Sequence, residues 1–179
     1  MSNTLRSKVI HQNPTLRPHL LPHLAGSRTA AGDFNIPGKH VLGRANVSDD
    51  AKVFDRAQVS GNAKVSGNAK VFGNAKVHYG AEVSEGASVY DDAEVYGFAE
   101  VTGSAHVYGD AEVYGEAKVY DDAKVYGDAQ VSGDAWVFGD AKVGGNARIG
   151  GSAVILGGTW DGSEGPVDRG TWKAPGVPA

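Results

Sequence analysis

The chain has 179 residues with 26 Gly and no Cys, and 17 Lys plus Arg against 21 Asp plus Glu give a formal charge of −4. Without Cys there is no disulfide framework, thiolate nucleophile or Cys-ligated metal site, and weak acidity argues against non-specific duplex nucleic-acid binding, which needs an excess of Lys and Arg. No apolar run reaches the ~18 residues of a membrane span, and no apolar h-region with a small-residue cleavage site opens the chain, so neither membrane nor Sec-type export is expected.

Residues 1–42 read as an irregular N-terminal arm. Arg6, Lys8, Arg17, Arg28 and Lys39 against Asp33 give this segment a net +4. Its Leu residues are interrupted by Pro14, Pro18 and Pro22, and proline removes a helical hydrogen bond and clashes with the preceding turn. An extended arm is therefore expected. A loose terminus is the plain alternative. The apolar side chains Val9, Ile10, Leu16, Leu20, Leu21 and Leu24 favour docking onto a larger protein assembly. His11, His19, His23 and His40 match no metal-ligand spacing, so no metal is assigned to them.

Residues 43–158 are a repeat. From Ala45 to Ala153 an Ala recurs at every sixth position, 19 times without an insertion, and two positions after each stands Val or Ile. Ala-x-Val alternates with period two, so Ala and Val share one face of a short strand and x takes the other. The Gly, Asn and Asp between strands tolerate left-handed backbone angles. A strand this short cannot bury its Val alone, whereas stacked coils build a continuous Val/Ala column, worth about 25 cal/mol per Å² of apolar surface removed from water.

The residue after each Val sets the number of strands per coil. Taken at every third hexad it reads Phe54, Phe72, Tyr90, Tyr108 and Tyr126, an aromatic ladder that three hexads per coil would produce. The parallel files read Ser60, His78, Tyr96, Tyr114, Ser132 and Ser66, Ser84, Thr102, Tyr120, Phe138. The 19 hexads then make about six coils, a prism about 30 Å long at the usual strand spacing. The ladder is expected to serve as an internal stack or a seam between protomers; a ligand surface that stacks sugars or bases is the weaker expectation. Residues 43–158 carry ten Lys and Arg against seventeen Asp and Glu, a net −7.

Residues 159–179 follow, with Trp160 and Trp172 in two Gly-Thr-Trp triplets. The end of a stacked-coil prism exposes strand edges that proteins cover, so a C-terminal cap is expected here.

The Gly-Asn/Asp-Ala-x-Val repeat resembles the hexapeptide-repeat left-handed parallel β-helix proteins, over residues 43–158. The resemblance implies an all-β triangular prism, a left-handed coil and a homotrimer. The regular Gly-Asn-Ala-Lys-Val form looks closest to phage and prophage repeat proteins. A non-enzymatic structural protein of a virion tail, spike or decoration is therefore expected, located in the virion or host cytoplasm and held by its N-terminal arm. The alternative is a hexapeptide acyltransferase using acyl-CoA. Such enzymes usually add a loop thrust out between coils and a His general base. Here the repeat has no insertion, and only His78 and His106 lie in it, separated by no whole number of coils and so in different files. Neither shows an orienting partner nearby in sequence. They are the candidate catalytic residues of the alternative; the leading reading has none, and no cofactor. The γ-type carbonic anhydrases, similar in fold, need three His for zinc, one more than the prism supplies. Asp92, Asp110 and Asp128 in one file, and the pairs Asp91-Asp92 and Asp121-Asp122, allow at most weak cation binding.

Overall fold

The computed structural model describes residues 40–179. The first coil comprises β1 (Asn46–Val47), β2 (Lys52–Val53) and β3 (Gln58–Val59), and a two-residue strand recurs at every sixth position up to β19 (Val154–Ile155). Each strand pairs in parallel with the strand three further along, as in Asn46↔Lys64 and Val47↔Val65. The result is a parallel β-solenoid of three sheets. We number them by first strand: sheet 1 starts at β1, sheet 2 at β2 and sheet 3 at β3.

The period-two pattern explains the interior. Ala and Val turn inward, and from Val59 to Val143 every repeat Ala and Val has no accessible surface. The outward residue donates its N–H to the Ala carbonyl one coil on, Lys64 to Ala81 at 2.9 Å and His106 to Ala123 at 2.9 Å. Hydrogen bonds thus run along the solenoid while the apolar column fills its axis.

The corners need left-handed backbone. Gly61 has φ of 71°, and a Cβ there would stand 2.9 Å from the Tyr79 nitrogen of the next coil. Asp49, Asp55, Glu85, Asp91 and Asp121 hold the same conformation. Each is followed one coil later by Gly67, Gly73, Gly103, Gly109 or Gly139, whose N–H its carboxylate accepts at 3.0–3.3 Å. A carboxylate is therefore tolerated where it caps a backbone donor and the residue above has no side chain.

The solenoid has about seven turns, one more than the hexads alone suggested. β20 (Thr159–Trp160) joins sheet 2 with Val143 opposite Trp160, Val167 bridges to Ile149 in sheet 3, and β21 (Thr171–Ala174) joins sheet 1 with Ile155 opposite Trp172. The antiparallel β22 (Val177–Pro178) then ends sheet 1. Trp160 is buried at the position of the next Val, and its indole N–H donates to the Gly157 carbonyl at 2.9 Å. At the other end Val41 bridges to Val59, while Val47 and Val53 are only partly buried. No helix among the described residues is long and apolar enough to cross a membrane.

Candidate functional site

The outward positions carry whatever distinguishes the three faces. In each strand the residue before the Val and the residue after it point the same way, two positions apart. Sheet 2 therefore shows two files side by side. One is Lys52, Lys70, Ser88, His106, Lys124 and Lys142, held in register from strand to strand. The other is the ladder Phe54, Phe72, Tyr90, Tyr108, Tyr126.

The ladder rings stack on one another, with centroids 5.0, 4.9, 5.0 and 5.4 Å apart and planes within 12°. Both faces of Phe72, Tyr90 and Tyr108 are covered by neighbours, so these rings offer no face to a sugar or a base. Above Tyr126 the file ends at Gly144, where a Cβ would lie 2.2 Å from the Tyr126 ring. Shorter stacks run His78–Tyr96–Tyr114 and Tyr120–Phe138. Burial raises the pKa of Tyr90, Tyr108 and Tyr120 above the ordinary phenol value. Tyr96 is raised further, by burial and then by its hydroxyl donating to Glu112 at 2.9 Å.

The two histidines stay apart, in sheet 3 and sheet 2. His78 is stacked on Tyr96, with its Nε2 buried, without a hydrogen bond, and 3.9 Å from Glu94. His106 packs edge-to-face with Tyr90 at 6.1 Å, and its Nδ1 is likewise buried without a partner. Burial lowers both pKa values; Glu94 opposes the effect at His78, and Lys124 adds to it at His106. A general base needs a nitrogen that can reach a proton on substrate. One nitrogen of each ring is closed to that role.

Sheets 1 and 3 pair their charges. Lys64 bonds Glu82, Lys76 bonds Glu94, and Lys118 bonds Glu100 at 3.0 Å, each one coil apart. Sheet 2 has no outward acid, and Lys52, Lys70, Lys124 and Lys142 have no ion pair among the described residues.

Asp91 and Asp121 are engaged with the N–H groups of Gly109 and Gly139, and Asp92 accepts from the Asn74 amide at 2.9 Å. No group of three His, Cys, Asp or Glu poised for a metal occurs among the described residues. Tyr79 and Phe98 are exposed at 66% and 68%, adjacent on one corner. Val9, Ile10, Leu16, Leu20, Leu21 and Leu24 lie outside the described residues.

Sequence reasoning placed the ladder and the separation of the histidines. It missed the corner carboxylates, signalled by acid and Gly alternating from one coil to the next, and the lysine file of sheet 2, visible at the same spacing. The fold and these surfaces define a parallel β-solenoid with one cationic face. No family model matches the chain, and no curated protein or solved structure is significantly similar to it.

Proposed function

We propose that the chain is a non-catalytic structural rod of the left-handed hexapeptide type, tethered through residues 1–42 to a larger assembly, with a phage virion as the setting and a trimer as the oligomer. The observation that carries this reading is the unbroken stack. Nineteen strands follow one another at six-residue spacing with no loop thrust out between coils. A rod held by inter-coil hydrogen bonds and a continuous apolar column resists bending, which suits a spacer or projection. The ends differ in a way that supports attachment at the N-terminal one: Val47 and Val53 keep part of their surface there, whereas Trp160 is buried at the other end.

Isothermal titration with acetyl-CoA, on protein whose oligomer mass is known from light scattering, tests the reading against the acyltransferase alternative. We expect no saturable heat. Saturable binding at one site per protomer interface, abolished by His78→Ala or His106→Ala, would overturn the non-catalytic assignment.

A further inference from the structure

The charge of the repeat is sorted by location. Of the ten Lys and Arg and seventeen Asp and Glu in residues 43–158, two Arg and thirteen acids sit at corners, a net −11. The outward file of sheet 1 holds Lys64, Glu82, Glu100 and Lys118 and sums to zero, as does that of sheet 3 with Lys76, Glu94, Glu112 and Arg148. The file of sheet 2 holds four Lys and no acid, a net +4. Lys52 stands directly opposite Lys70, and Lys124 opposite Lys142. Like charges directly paired across strands destabilise a sheet. The other two faces also hold such pairs, Glu82 opposite Glu100 and Glu94 opposite Glu112, but they offset them with Lys or Arg in the same file, three of these four acids being bonded to a Lys. Nothing in the fold requires an unbalanced line.

We propose that the outward face of sheet 2 binds an unbranched acidic polysaccharide lying along the rod. Four cations in one line, spanning five strand steps or about 24 Å, match a linear polyanion better than a compact anion. The acidic corners on both sides, Asp50, Asp122 and Asp140 before the strands and Asp92, Asp110 and Asp128 after them, repel a wide anionic surface such as a duplex. Single-stranded nucleic acid gains much of its affinity by stacking bases on free aromatic faces, and the inner rings of this ladder are covered. What the ladder does offer is hydroxyls. Those of Tyr90, Tyr108 and Tyr126 have no hydrogen bond within the described chain and are not among its buried orphan atoms, so they reach solvent beside the lysine file. Cations flanked by hydroxyl donors suit a polymer bearing both carboxylate or sulfate groups and sugar hydroxyls.

The test uses the full chain and fluorescence-labelled heparin as probe, with neutral dextran, poly(dT) and polyglutamate as comparison ligands. Heparin is expected to bind and dextran not to. The variant Lys52→Gln/Lys70→Gln/Lys124→Gln/Lys142→Gln should lose about tenfold or more in affinity, four screened charge contacts of a few tenths of a kcal/mol each. Lys64→Gln/Lys118→Gln, on sheet 1, should stay within about twofold. Tyr90→Phe/Tyr108→Phe/Tyr126→Phe keeps the stack and should weaken heparin but not polyglutamate. Unchanged heparin affinity in the quadruple variant, at unchanged melting temperature, would overturn the proposal and move binding to the basic residues 1–42. So would absence of heparin binding, tighter binding of poly(dT), or indifference to the three Phe substitutions.

Discussion

The inside of this solenoid is the same on all three sheets, and the outside is not. Inward, each strand presents Ala and Val with no accessible surface through the middle coils. Outward, sheets 1 and 3 balance Lys or Arg against Glu, with three Lys–Glu pairs bonded between coils, while sheet 2 lines up lysines beside five stacked rings. What repeats around the axis is what the fold requires. What differs between faces is free of that requirement, and a function for the rod is to be sought there.

The sharpest challenge to that contrast is to empty the same inner position on each sheet. Val101, Val107 and Val113 stand in sheets 1, 2 and 3 of one coil, all without accessible surface. Each Val→Ala change should cost about 2–3 kcal/mol in chemical denaturation, combining lost transfer energy and a residual cavity. The three losses should agree within about 1 kcal/mol. A spread much larger than that would mean that the outer faces contribute unequally to stability and that interior and exterior are not separable.

The corners sharpen the contrast on a smaller scale. Gly127 has φ of 67°, and a Cβ there would lie 3.1 Å from the Gly145 nitrogen. Gly127→Val places a β-branched side chain in left-handed backbone and should cost about 2 kcal/mol. Gly127→Asp recreates the arrangement of Asp55 beneath Gly73, where the carboxylate accepts the N–H at 3.2 Å. It should cost less than about 1 kcal/mol. Equal losses, read from the midpoints of urea unfolding, would show that the carboxylate cap contributes nothing.

Much of this architecture was legible because each structural need falls at a fixed spacing. Ala-x-Val in every hexad specifies inward pairs, and aromatic residues in every third hexad specify three strands per coil. The seventh turn was hidden because the spacing slips. Lys142 pairs with Thr159 and Val154 with Thr171, each one position short of the regular coil, and Trp160 takes the place of Val. The corner caps were unreadable for another reason: Asp there satisfies general turn preference, and only the stacked backbone reveals the N–H above it. His78 and His106 read as two residues in different files without an orienting partner nearby in sequence, and the packing of Tyr79, Tyr96 and Tyr90 against the two rings was not legible there. Burial by a neighbouring coil's side chain depends on rotamers, which spacing does not encode.

Those histidines supply the smallest effect, because they are outward residues with partly inward surroundings. Burial lowers the pKa of each below the ordinary imidazole value of 6.5. In the unfolded chain both take up protons near that ordinary value, while in the folded chain they resist until the pH is lower. Between those two points the unfolded state binds more protons, so stability falls as pH drops below about 6.5 and levels off once the folded rings are also charged. Asp161, lowered by its bonds from Ser163, acts only in the more acidic carboxylate range and leaves this window untouched. Both rings keep some exposure, so solvent screens the effect. Lowering the pH from about 7.5 to about 5 should reduce the melting temperature by about 2 °C or less. His78→Gln/His106→Gln should flatten that slope. A slope unchanged in the double variant would assign the acid sensitivity to other groups and leave the two rings as inert members of their stacks.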